Sequence, residues 1–205
     1  MKILIIAGNT ASGKSTVLDA LCESHGFEKV VTTTTREPRP GEVDGVHYNF
    51  INKDEFEKRI SNDEFMEHVH AKGNYYGTEF KAFETKDPSK TPAVILDPEG
   101  CKNASDILKA KGLTPITVFI DESPETCIER VLSREANAAE KVKRIKDIRE
   151  VEAGWSTYMN YDHKTKPLST IEENCLDLKQ FTENFQEYSV KKVEKRASKN
   201  KFKPS

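Results

Sequence analysis

The chain has 205 residues, with 32 lysines and arginines against 34 aspartates and glutamates, a near balance that excludes a dedicated nucleic-acid or membrane-surface protein. Its 36% apolar content suffices for one buried core in one or at most two domains, and no apolar run approaches the roughly 18 residues of a membrane span. Cys22, Cys101, Cys127 and Cys175 are scattered with no C-x-x-C pair, which predicts reduced thiols in a cytoplasmic protein rather than a disulfide framework or a zinc cage.

In chain order, Ile3 to Ala7 is a continuous apolar run closed by Gly8, too short for a secretory signal and suited to a central parallel strand. Val17, Leu18 and Leu21 then fall at helical spacing between Ser15 and Glu23, with Gly26 as the stop. The loop between them, Gly8-Asn9-Thr10-Ala11-Ser12-Gly13-Lys14-Ser15, satisfies G-x-x-x-x-G-K-[ST] in the strand, loop, helix context the motif needs. Such a loop turns successive backbone N–H groups, and the positive end of its helix, toward a triphosphate. Gly8 through Thr16 are therefore the expected ATP contacts, with Lys14 on the β- and γ-phosphate oxygens and the Ser15 hydroxyl on Mg²⁺.

The stretch from Thr32 to Lys90 breaks this rhythm: it is polar, aromatic and turn-rich, punctuated by Pro38, Pro40, Gly41, Gly45, Gly73 and Gly77, and reads as an inserted subdomain. Within it Pro38 and Pro40 stiffen a turn carrying Arg36 and Arg39, two guanidinium forks suited to the oxygens of a phosphomonoester. Buried strands follow at Ala93 to Asp97 and Ile116 to Asp121, with a helix over Cys101 to Lys111 between them. Asp97, ending its strand, stands where an acidic residue can touch a metal-bound water or orient an acceptor phosphate. Ser123-Pro124-Glu125 opens another helix, and on it Arg130 and Arg134 share one face. Residues 130 to 152 are strongly charged with few large apolar groups, as suits a mobile helical flap. Lys191 to Ser205 carry seven lysines or arginines against Glu194 alone and are expected to form a solvated tail. Strands alternating with helices predict an α/β fold around a parallel sheet.

From Thr34 to Ile51 the sequence resembles the guanylate kinase signature: Thr, Ser or Thr, Arg, two free, basic, two free, acidic, two free, Gly, two free, Tyr, one free, aromatic, aliphatic. Every fixed position is met, and the likeness continues through Glu64-Phe65-Met66-Glu67 and Gly73-Asn74-Tyr75-Tyr76-Gly77-Thr78 to cover most of residues 3 to 150. The resemblance implies a three-layer P-loop kinase. Its nucleotide-binding core would span residues 1–31, 91–129 and 153–190, its acceptor-binding subdomain 32–90 and its helical lid 130–152. It also implies transfer of the γ-phosphate of ATP to GMP or dGMP with Mg²⁺, by a monomer or homodimer with no nucleic-acid or membrane partner.

By the same likeness Arg36, Arg39, Tyr48 and Tyr76 hold the acceptor phosphate, Glu67 and Glu99 accept from guanine N1 and N2, and Thr32 and Thr78 meet O6. Arg130, Arg134 and Arg144 would close over the nucleotides and share the catalytic work with Lys14, Arg36 and Asp97. Two departures stand out. Asp97-Pro98-Glu99-Gly100 shortens the family's Asp, one residue, Asp, two residues, Gly, and His163 to Leu168 is polar where relatives have a hydrophobic strand near the adenine site. These leave open a P-loop kinase for another nucleoside monophosphate or a sugar phosphate. A guanylate-kinase-like protein-binding module is disfavoured, because such modules typically lose the lysine-bearing loop and this chain retains Lys14, Ser15 and the flap arginines.

Overall fold

A strand that is apolar on both sides must be covered on both sides. The computed structural model describes residues 1–71, 73–84 and 87–189, and shows β1 (Lys2–Gly8) in that position, buried from Ile3 onward. The charged stretch from Lys191 to Ser205 lies outside the described residues. After β1 come α1 (Lys14–Ser24) and β2 (Phe27–Lys29). A second sheet follows, from β3 (Thr33–Thr34), β4 (Asn49–Phe50), α2 (Lys53–Ser61), β5 (Phe65–Ala71) and β6 (Asn74–Glu79). The chain then returns to the first sheet through β7 (Thr91–Ile95), α3 (Pro98–Ala110) and β8 (Thr114–Ile120). It continues with α4 (Pro124–Arg134), α5 (Ala138–Lys146), a π-helical turn at Asp147–Val151, β9 (His163–Lys164) and α6 (Ile171–Glu183).

The five strands of the first sheet run parallel in the order β2-β7-β1-β8-β9, with Leu4 level with Ala93 on one side and Ile116 on the other. Alternation along β1 divides the core. Leu4 and Ile6 pack with Val17, Leu18 and Leu21 of α1 and Leu178 of α6, whereas Ile3 and Ile5 pack with Cys101, Ala104 and Leu108 of α3. The result is the expected α/β three-layer sandwich. Because the strands are parallel, Gly8, Ile95 and Ile120 all end at one edge, where ligands of such sheets bind.

The second sheet has the order β4-β3-β6-β5, and its β5–β6 pairing is antiparallel. Phe56 of α2 stacks on Phe65 and Tyr75 at centroid distances of 4.3 and 5.2 Å. Beside them the Glu79 carboxylate, 1% exposed, accepts from Thr33 Oγ1 at 2.6 Å and Arg59 at 2.9 Å, and pairs with Lys81 at 2.8 Å. Met66 of β5 enters the α3 cluster, so α3 braces both sheets.

Two local expectations change. The strand placed at Ala93 to Asp97 ends at Ile95, and Asp97 instead caps α3, its carboxylate accepting from Gly100 N–H at 2.7 Å with Pro98 at the first helical position. An Asp-Pro pair is a stronger helix start than a strand end, so the helix begins ahead of Cys101. His163–Lys164, within a stretch read as polar where relatives have a hydrophobic strand, pairs with β8 at the sheet edge. Two residues at an edge need little apolar surface, and His163 is held by stacking on Phe181 at 4.5 Å and by Asp177 at 2.7 Å. Because Phe56 is fully buried between two rings, Phe56→Ala should lower the unfolding free energy by about 3–5 kcal/mol in denaturant titration. A loss below about 1 kcal/mol would contradict its role as the second sheet's anchor.

Candidate active site

The phosphate loop is closed by geometry that side chains would obstruct. A Cβ on Gly8 would stand 2.8 Å from the Ile120 carbonyl oxygen, and Gly13 caps α1 at a φ of 99°, in the left-handed region. Lys14 folds back over the loop, its ammonium donating to the Gly8 and Asn9 carbonyls, both at 2.7 Å. Burial lowers its pKa to about 8, partly offset by the nearby Glu152 carboxylate. Glu152, only 2% exposed, accepts from the Thr10 N–H at 2.6 Å and the Thr10 hydroxyl at 2.7 Å. Sequence reasoning missed Glu152, since one acid in a charged flap carries no motif. Ser15 lies exposed at the start of α1, and Asn9 Oδ1 and Ser12 Oγ are buried without a hydrogen-bond partner among the described residues.

A cavity of about 300 Å³ opens from the loop. Lys14, Thr10 and Glu152 line one end, and Thr32, Arg39, Tyr48, Glu67, Tyr76 and Asp97 line the rest. The pairing register of β5 against β6 shifts between Phe65 and Glu67, a bulge that re-aims the strand there. Gly77 permits the close approach, because a Cβ on it would meet the Phe65 ring at 2.7 Å and the Glu67 carbonyl oxygen at 3.0 Å. The Glu67 carboxylate accepts from Thr78 Oγ1 at 2.6 Å. Burial pushes its pKa up to about 7, the Thr78 hydrogen bond opposes the shift and the charge of Asp97 adds to it.

Two assigned contacts are therefore relocated. Thr78 is fully buried and does not line the cavity, so it stands behind Glu67 instead of facing a ligand. Glu99 is exposed on the first turn of α3 and does not reach the cavity. Asp97 lies nearer: a Cβ built on Gly100 would be 3.3 Å from Asp97 Oδ1 and 3.7 Å from Glu67 Oε2, so the two carboxylates flank one point.

The arginines form two groups. Arg36 forks onto Glu42 with two bonds of 2.9 Å and lies against the Tyr48 and Phe50 rings at 5.4 and 5.7 Å. With Arg39, Tyr76 and Arg144 it borders a second cavity of about 220 Å³, which shares Thr10, Arg39 and Tyr76 with the first. Arg144 is held by Glu140 at 3.2 Å and Glu135 at 3.3 Å. Arg130 and Arg134 are not brought to that group. They border a third cavity, about 110 Å³, with Ser12, Thr16, Lys166 and Asn174, where Arg130 bonds to Glu122 at 2.9 Å and to the Ala11 carbonyl at 3.2 Å. Cys127 and Val131 of α4 pack with Ile148 and Ala11, which ties the flap to the loop.

The chain is similar to known proteins. A family model described as "Guanylate kinase" matches residues 1–185. A curated guanylate kinase of Clostridium perfringens is 36% identical over 143 residues, covering 68% of this chain and 64% of that protein, so the match spans under two thirds of the relative's length. One from Symbiobacterium thermophilum is 37% identical, covering 69% and 67%. The crystal structure of guanylate kinase from Anaplasma phagocytophilum superposes with a TM-score of 0.64 at 27% identity, over 90% of this chain and 85% of that one.

The carboxylate environment is directly testable by NMR titration of labelled glutamate side chains. Glu67 should titrate at about 7, with Thr78→Val moving the midpoint up and Asp97→Asn moving it down. A midpoint near the ordinary glutamate value of about 4.3 would contradict the buried geometry.

Proposed function

The chain belongs to the guanylate kinase family, and we propose on that footing that it transfers the γ-phosphate of ATP to GMP or dGMP. The observation that carries the reading is the cavity running from the Lys14 loop to paired carboxylates at Glu67 and Asp97. Guanine offers N–H donors at N1 and N2, and the free acceptor positions on the buried Glu67 and half-buried Asp97 carboxylates are ones that adenine's edge leaves unmatched. The acceptor phosphate then falls between them and the loop, within reach of Arg36, Arg39, Tyr48 and Tyr76.

In this reading the donor's phosphates lie on the loop and its base enters the third cavity beside Thr16, Arg130 and Asn174. Lys14 neutralises charge on the β- and γ-phosphates, and Arg144, which lines a cavity with Thr10, Arg36 and Arg39, does so on the transferring group. No general base is required, because the attacking phosphate oxygen is already anionic. The Ser15 hydroxyl is exposed and engaged by no described side-chain hydrogen bond, and no cluster of three or more acidic, His or Cys groups able to hold a metal exists among the described residues. That donor set fits a Mg²⁺ held chiefly by the triphosphate with Ser15 as a protein ligand, where it would neutralise phosphate charge. Four free cysteines support a reducing, cytoplasmic setting. No helix among the described residues is long and apolar enough to cross a membrane.

A coupled assay for ADP formation across nucleoside monophosphates tests the proposal. GMP and dGMP should exceed AMP by about two orders of magnitude or more in kcat/KM, the cost of leaving the remaining acceptor positions of Glu67 and Asp97 unmatched. Asp97→Asn should erode that ratio, Glu99→Gln should leave it near the parent's, and Lys14→Ala should abolish most turnover in a folded protein. Acceptor affinity should rise as pH climbs through about 7, since guanine's donors need the ionised Glu67. Equal use of AMP, or full activity of the Lys14→Ala variant, would refute the assignment.

A further inference from the structure

The Glu152 carboxylate sits on donors that a phosphate needs. Its two bonds from Thr10, at 2.6 and 2.7 Å, are short charge-assisted contacts to a loop residue, one of them to a backbone N–H. At 2% exposure the group is deeply buried, and its field reaches Lys14, the loop's own cation. A buried carboxylate is tolerated only with such partners. It lines the same cavity as Thr10 and Lys14. Thr10 has one N–H and one hydroxyl hydrogen, and both point at Glu152, so an incoming phosphate oxygen and this carboxylate cannot both take them.

We propose that Glu152 is a stand-in anion: it occupies the Thr10 donors of the phosphate loop and is displaced by the phosphate chain of the nucleotide donor, and it thereby sets donor affinity. The inference rests on the reading of the loop as a phosphate site. Displacement is coupled to the flap, because the Glu152 N–H donates to the Asp147 carbonyl at 2.9 Å, one residue from Lys146 at the end of α5. It is also coupled to the cavity wall, because the Trp155 N–H donates to the Glu152 carbonyl at 3.0 Å and Trp155 lines the cavity. The competing role, a strut that holds the loop in shape and stays put when ligand binds, gives the opposite sign on removing the charge.

The test is calorimetric titration of the full chain and Glu152→Gln with Mg·ATP and, separately, with tripolyphosphate as a base-free probe. Both are run below pH 7, where the Lys14 ammonium is charged. Glutamine keeps the shape and an acceptor for Thr10 but not the charge, so the variant should bind both probes about tenfold more tightly. Equal or weaker binding of tripolyphosphate by the variant overturns the proposal in favour of a strut. Tripolyphosphate binding without ATP binding would count against the donor reading alone. Should the variant fail to fold, the parent decides. Trp155 is the single tryptophan, and its emission should shift on adding Mg·ATP or tripolyphosphate without acceptor; an unchanged spectrum on saturation overturns the displacement.

Discussion

Concentrating positive charge around one loop is unfavourable until an anion arrives, and much of this site is organised by that constraint. Arg36, Arg130 and Arg144 each pair with a carboxylate of the same chain, Glu42, Glu122, and Glu135 with Glu140, while Lys14 is held by the Gly8 and Asn9 carbonyls within the field of Glu152. These pairs hold the cationic side chains in order without letting them repel one another. In the proposed function, binding a phosphate is an exchange of one charge-assisted partner for another rather than the creation of contacts from water, which moderates affinity and has the groups that stabilise charge in place before the charge develops.

The fold supplies the edge on which this exchange takes place. Parallel strands β1, β7 and β8 end together, so the phosphate loop, the Asp97 cap and the start of α4 are neighbours although distant in sequence. Helix α3 then carries the geometry to the second sheet through Met66, next to Glu67. The bulge in β5, the bare backbone of Gly77 and the hydroxyl of Thr78 fix where that carboxylate sits. Burial in this corner, with Asp97 nearby, is what raises its pKa.

Features written in short-range chemistry were legible in the sequence. The loop from Gly8 to Ser15 announces itself by glycine spacing between an apolar strand and a helix, and the central strands by their unbroken apolar runs. Features decided by three-dimensional competition were not. Asp97 was read as a strand end because its apolar neighbours dominate the pattern, yet Pro98 and the free N–H groups of α3 make it a cap, which leaves Glu99 in solvent. Thr78 was read as a ligand contact, yet it is fully buried and its hydroxyl donates to Glu67. Glu152 lies 142 residues from Thr10 in sequence, and no local pattern could connect them. The edge strand β9 depends on pairing with β8 and on the Asp177 and Phe181 side chains of α6, not on its own composition.

In the proposed function one loop joins a donor cavity to a guanine-selective acceptor cavity, so both nucleotides are held at once. Calorimetric binding of an adenosine–guanosine bisubstrate joined by a pentaphosphate tests it most directly. Linking two fragments that occupy adjoining sites removes one association cost, so the conjugate should bind with one-to-one stoichiometry and far more tightly than ATP or GMP alone, by about 10² or more. The diadenosine counterpart should be weaker, because its second base offers no donors to the remaining acceptor positions of Glu67 and Asp97. A conjugate that binds no better than ATP, or a diadenosine compound that binds equally well, would contradict the account.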